Sequence, residues 1–211
     1  MNANSLTEAE IPAQESLTAN ESSLLKAMME VGMFYGLNRS KTNPKNRPYI
    51  AFTKSGVEVI DVVKAIRALD EAAQAIKNEI SSGGSIILVG TTPTKKEVIS
   101  LERELEKLDR FFSGIETMEK LPGLIIIFNL KNHEIAAREA SKMNIKSIGF
   151  LNTNADPDLV DYPIIVNDKN PKSIDFMASY LENIVEEAKR AKEAAALAID
   201  SLSLGSIGDN G

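Results

Sequence analysis

The sequence predicts an α/β fold, a mostly parallel sheet with helices on both faces, behind an irregular basic N-terminal segment. Three observations predict it. The runs Ile86–Val89, Leu124–Phe128 and Ser147–Leu151 are of strand length and lack polar alternation, as expected for strands covered on both sides. Between them lie stretches whose apolar residues recur at threes and fours, the period of one helix face. Strand and helix alternate, and a parallel crossover needs a covering element and is nearly always right-handed.

Taken in order, residues 1–23 scatter isolated apolar side chains among Ser, Thr, Asn and Glu without a period, and a flexible tail is expected there. A single domain is expected over residues 24–198, with a second flexible tail at 199–211. Leu24, Leu25, Met28 and Val31 suit a short helix closed by Gly32, after which Gly36, Pro44 and Pro48 predict a long irregular stretch. Tyr49–Phe52 and Val57–Ile60 are β-prone runs around a turn-like spacer, suggesting a hairpin or bulged pair. Asp61 is a plausible N-cap for a helix with Val62, Ile66, Leu69, Ala73, Ile76 and Ile80 on one stripe, ended by Gly83 and Gly84. Gly90–Pro93 turns the chain after the first buried strand. A helix is expected from about Thr94 to Phe112, its stripe of Val98, Leu101, Leu105, Leu108 and Phe112 narrow like a heptad seam. Then follow a helix over Asn132–Met143, a short strand at Ile164–Val166, and a long helix from Pro171 through Ile174, Met177, Leu181, Ile184, Val185 and Ala188.

Composition removes several chemistries. The chain has no Cys and a single His, which excludes disulfides, thiolate metal sites, Cys nucleophiles and His-cluster zinc. No apolar run approaches the roughly eighteen residues of a membrane span, and the start lacks the pattern of a secretory signal. A soluble cytoplasmic protein is expected. The formal charge of −6 argues against a polyanion partner only if charge is uniform, and it is not. Between Val31 and Val57 there is no Asp or Glu, while Arg39, Lys41, Lys45, Arg47 and Lys54 all fall there.

Three places could carry chemistry. Gly90–Pro93 lacks either Gly-rich phosphate-binding pattern, so a tight strand-to-helix turn is the simpler reading. The Asn152–Asp168 loop carries Asp156, Asp158, Asp161 and Asp168, which could hold Mg²⁺ or act as acid and base. Its spacing does not fit a calcium loop, and Asn and Asp more commonly satisfy backbone groups in turns. His133, at a helix start, has no paired nucleophile and reads as a surface or capping residue. The basic segment differs in kind: its cations are interleaved with Asn38, Asn43, Asn46, Phe34, Tyr35 and Tyr49, offering charge for phosphates, amides for sugar or base edges, and rings for stacking. On spacing alone, a solvated basic loop is an equal reading.

Several collinear segments carry a resemblance. Met29–Gly36 with Asn43–Ile50 looks like an opening LLEAGVHFGH and NPKMKPYI pair; Gly56–Asp61 is similar to NGIHIIDL; Gly83–Thr91 resembles GGKILFVGT; Leu121–Ala136 resembles LPDALFVIDPKKEHIA; and Asn152–Ile164 is very close to DTNCDPDLIDYPI. On these the chain is identified as resembling the ribosomal protein S-two family of the small subunit, over about Met28 to Glu187. The resemblance implies a flavodoxin-like or Rossmann-like domain, a structural, non-enzymatic role in translation, and binding to small-subunit rRNA and neighbouring ribosomal proteins. It leaves open ribosomal protein S-one as a docking partner, expects neither a membrane nor a homo-oligomer, and expects no cofactor of its own, with Mg²⁺ shared with rRNA left open. The implied rRNA contacts are Arg39, Lys41, Lys45, Arg47 and Lys54, with Asn43 and Tyr49 fixing the loop and Lys95 and Lys96 as lesser candidates.

The departures are as informative. Between Thr91 and Thr94 the family has a helix, a strand, a W-x-G-G-x-L-T-N segment and one arm of a helical hairpin, all absent here. Phe34 and Leu37 stand at two family His positions and Thr42 at a Trp, so contacts made by those side chains do not carry over. The rival reading is a nucleotide- or sugar-phosphate-binding module or enzyme using Gly90–Pro93 and the Asn152–Asp168 loop; a free protein-interaction domain is the third.

Overall fold

In the computed structural model, Thr18 opens the first helix, α1 (Ala19–Glu30), with a capping box. The Glu21 N–H donates to the Thr18 hydroxyl oxygen at 3.3 Å and the Thr18 N–H donates to Glu21 Oε2 at 2.6 Å, so two otherwise unpaired backbone donors are satisfied reciprocally. The structure describes residues 18–90 and 121–205, with side chains as far as 195. α1 therefore begins ahead of the expected Leu24, and the end of the stretch read as tail is helical. The signal was present as Thr18-x-x-Glu21.

After Gly32, which takes the left-handed conformation at φ 75°, the chain forms a strand where an irregular stretch was expected. This strand, β1 (Tyr35–Asn38), joins β2 (Ile50–Lys54) and β3 (Val57–Ile60) in an antiparallel sheet of order β1-β3-β2. β2 and β3 form the expected hairpin with an irregularity between Ile50 and Phe52. Its two-residue turn is Ser55 and Gly56, at φ 52° and 81°, the sign that matches a turn to the twist of the strands.

Asp61 caps α2 (Val62–Ser82) by accepting from the Lys64 N–H, and Gly83 closes it at φ 80°. Val63, Ile66, Leu69, Ala72 and Ile76 are buried along it. Ala72 rather than the expected Ala73 lies deepest, and the buried stripe is wider than a single row. Each large side chain so removed from water contributes roughly 1.5–3 kcal/mol.

The second sheet is parallel, of order β4-β5-β6-β7: β4 (Ile86–Val89), β5 (Leu124–Ile127), β6 (Lys146–Leu151) and β7 (Tyr162–Ile165). Its pairing sets Ile86 beside Leu124, Leu124 beside Lys146, and Ile148 beside Tyr162. Alternate residues face opposite layers. Leu124, Ile126, Ile148, Phe150 and Ile164 pack in one cluster with α1, α2 and the last helix, α4 (Pro171–Gly205). Ile127, Leu151 and Ile165 pack in the other with Ala137 of α3 (Glu134–Lys142). Helices thus cover both faces, as predicted, and α4 runs past the expected boundary at 198. At the β4 edge a groove of about 660 Å³ opens between Ile86, Leu88 and the Leu181–Val185 side of α4, leaving Leu88 65% exposed. The helix expected over 94–112, and with it Lys95 and Lys96, lies outside the described residues. Among those described, no helix is long and apolar enough to cross a membrane.

Candidate nucleic-acid interface

The basic segment is held by its own asparagines. Asn38 accepts from the Ser40 N–H at 3.0 Å and caps a 3₁₀ turn at Arg39–Lys41; Asn43 accepts from the Lys45 N–H at 3.1 Å and caps a second over Pro44–Tyr49. Such side chains compete with regular helix by bonding nearby backbone. Pro44 supplies the fixed φ that a helical first position requires.

Both turns are anchored to the carboxyl end of β6. The Asn43 N–H donates to the Thr153 carbonyl at 2.8 Å. Asn46, fully buried, donates from Nδ2 to the Thr153 and Ala155 carbonyls, each at 2.8 Å. The Leu37 N–H donates to Thr153 Oγ1 at 3.0 Å, and Asn152 Oδ1 holds the Thr153 N–H at 2.8 Å. Ligands of open α/β sheets bind beyond the carboxyl ends of the strands; beyond β6 that space is occupied by the chain's own Asn43–Asn46.

What this scaffold presents is cationic. Arg39, Lys41 and Arg47 are exposed and, among the described residues, their side chains have no ion-pair or hydrogen-bond partner. Lys45 is different. Its Nζ lies 2.8 Å from Asp156 Oδ2 and 2.7 Å from Asp158 Oδ2. Hydrogen bonds to Asp156, then Asp158, raise the Lys45 pKa, and the bond from Lys45 lowers that of Asp156. The segment is free of carboxylates along the chain but not in space, a correction that only folding could supply. Lys54 is exposed at the end of β2; Asn43 is half-buried in its capping role; Tyr49 is half-buried, and its carbonyl accepts from the Asp61 N–H at 2.9 Å.

Sequence reading missed Lys64 and Arg67, which α2 places against the same segment. Lys64 Nζ donates to the Pro48 carbonyl and lies 3.4 Å from Asp61 Oδ2; Arg67, three residues on, is exposed. Their spacing along a helix following an N-cap was the available signal.

The other candidates are accounted for locally. Asp156 caps a 3₁₀ turn at Pro157–Leu159, and Asp161 accepts from the Ser147 N–H and hydroxyl at 2.8 and 3.0 Å. Asp168 is buried with Oδ1 unpartnered among the described residues; burial pushes its pKa up, against the pull of Asn152 and Lys169. Among the described residues no three His, Cys, Asp or Glu side chains are grouped to hold a metal. His133 takes the N-cap position of α3, one of the two places expected for it, half-buried and without a side-chain capping bond, and its Nε2 is buried with no partner among the described residues. Gly90 ends β4 exposed, and Thr91–Pro93 lie outside the described residues.

With this geometry in place, the family model described as "Ribosomal protein S2" matches residues 28–102 and 92–188. The chain belongs to the ribosomal protein S2 family. A small ribosomal subunit protein uS2 of Roseiflexus castenholzii is 28% identical over 225 positions, covering 81% of this chain and 86% of that protein. One of Corynebacterium diphtheriae is 28% identical over 230 positions, covering 82% and 86%. Both alignments are longer than the 211 residues of the whole chain, so these S2 relatives carry residues with no counterpart here. That agrees with a shortened S2 member.

Proposed function

We infer that this chain, by its family a structural and non-enzymatic constituent of the small ribosomal subunit in the cytoplasm, is held there by rRNA phosphates on Arg39, Lys41 and Arg47. One observation carries the reading: three exposed cations without a partner among the described residues ride on two capped turns that buried Asn46 and Thr153 lock to the parallel sheet. Fixed cations bind a polyanion without first giving up side-chain and loop freedom, which is otherwise lost on association. Lys45 enters this proposal only as a brace, since Asp156 and Asp158 already hold it. Lys54, Lys95 and Lys96 are proposed as lesser contacts. Contact with neighbouring small-subunit proteins, ribosomal protein S-one included, belongs to the same proposal.

The test is equilibrium binding of the full chain to small-subunit rRNA as salt is varied. Each phosphate neutralised contributes roughly 0.7–0.9 to the slope of log affinity against log salt. Changing Arg39, Lys41 and Arg47 together to Gln should lower the slope by about 2–3 with the fold intact by circular dichroism. An unchanged slope removes the three residues from the interface.

A further inference from the structure

Beside the basic turns lies a second feature that the phosphate reading does not use, a cleft of about 220 Å³ between α2 and the start of β7. Tyr49 and Tyr162 line it, both half-buried, together with Lys64, Arg67 and Ala68 of α2. Glu71 and Pro163 complete it. The position of each group follows from the fold. Lys64, Arg67, Ala68 and Glu71 fall on one face of α2 at spacings of three and four. Tyr49 ends the second 3₁₀ turn, where Asp61 holds its carbonyl and Lys64 that of Pro48. Tyr162 begins β7 beside Ile148.

We propose that this cleft receives one unpaired rRNA base, stacked against the rings of Tyr49 and Tyr162, with its flanking phosphates on Arg67 and Arg47. The inference rests on the rRNA reading above and extends it from charge to a base-binding slot. A drug-sized ligand needs a pocket of about 300 Å³ or more, and this cleft is smaller, closer to the size of a single base. Unpaired nucleotides are recognised by splaying bases onto aromatic rings, whereas the A-form duplex offers mainly backbone and 2′-hydroxyls. The small side chain of Ala68, in the wall of the cleft, takes up little of its volume. Arg67 makes no side-chain hydrogen bond or ion pair among the described residues, though the Glu21 carboxylate lies within range of its charge, and Arg47, outside the cleft's lining, lies two positions before Tyr49 on the same turn, so the slot has a cation in its wall and another close along the chain. Glu71, on the far side from Lys64 along the helix, disfavours a phosphate there and gives the bound strand a direction.

Chemical probing of rRNA in small subunits reconstituted with the full chain tests the slot. The native chain should protect one or two unpaired nucleotides, and Ala68→Met, which adds bulk to the cleft wall from a half-buried helix position and whose fold is checked by circular dichroism, should restore their reactivity. Tyr162→Leu should do the same and weaken rRNA binding about tenfold, the usual loss of one stacked base, while Tyr162→Phe keeps the protection. Identical protection with native chain and Ala68→Met overturns the slot, and so does Tyr162→Leu behaving like Tyr162→Phe. The native chain's footprint read beside the cation triple variant's salt slope separates the two claims: a reduced slope with no slot footprint from the native chain sinks only this inference, and an unchanged slope sinks the rRNA reading itself.

Discussion

At the scale of the residue, the fold depends on a few buried amides and one uncomfortable carboxylate. Asn46 acts as a backbone surrogate, donating to the Thr153 and Ala155 carbonyls and so tying the second N-terminal turn to the chain after β6, while Asn152 Oδ1 accepts from the Thr153 N–H; buried backbone groups left without such partners are costly. Asp168 has the opposite effect. It is 4% exposed with one oxygen unpartnered among the described residues, and burial raises its pKa. An acid whose folded pKa lies above its unfolded value binds more protons folded than unfolded between the two. It therefore costs stability above the folded pKa, and that cost is relieved as pH falls through the folded pKa towards the unfolded one. Asp168→Asn should raise Tm at pH 7, and the gain should shrink on acidification. Thermal melts at several pH values check this; an equal shift at every pH would remove ionisation as the cause.

At the scale of the element, the N-terminal sheet is fitted to the parallel one by close approach. A Cβ added at Gly36 of β1 would lie 2.8 Å from Thr153 Cγ2 and 2.9 Å from the Glu58 carbonyl oxygen of β3. The backbone on one side cannot yield without opening the strand pair. Gly36→Ala should lose about 1–3 kcal/mol, the usual range for forcing atoms into a packed site, read as a lower denaturant midpoint. A midpoint equal to the native chain's would show the two sheets to be loosely docked. Much of the element list was legible: the hairpin, the Asp61 cap, the α2 stripe and three parallel strands followed from period and punctuation. β1 was not, because Tyr35–Asn38 pairs irregularly with β3, with a shift in register between its ends, and four residues carry too little alternation to announce a strand. The start of α1 was missed for a different reason, since its capping box lies among polar residues that resemble a tail.

At the scale of the molecule, a chain of net charge −6 binds a polyanion only by segregating its cations. The turns collect Arg39, Lys41 and Arg47 on one rigid surface, while exposed acids gather along α4. Lys45 shows how far the third dimension alters a sequence reading: it sits amid the basic run, yet two Asp side chains 111 and 113 positions away claim it. Lys45→Gln should therefore change rRNA binding and its salt slope less than Arg47→Gln, and should lower stability slightly by releasing Asp156 and Asp158. Side-by-side binding titrations of the two variants decide it, and a larger binding loss for Lys45→Gln would return Lys45 to the interface.

By itself the sequence determined the α/β class, the helices on both faces, the family and the location of the cations, because period, turn residues and collinear motifs are local properties. Which cations remain available, that Thr153 anchors the basic turns, and that Tyr49, Arg67 and Tyr162 share one cleft were decided only by the tertiary structure. Those facts join residues far apart along the chain, and no local pattern encodes which distant carboxylate, carbonyl or ring will arrive beside a given side chain.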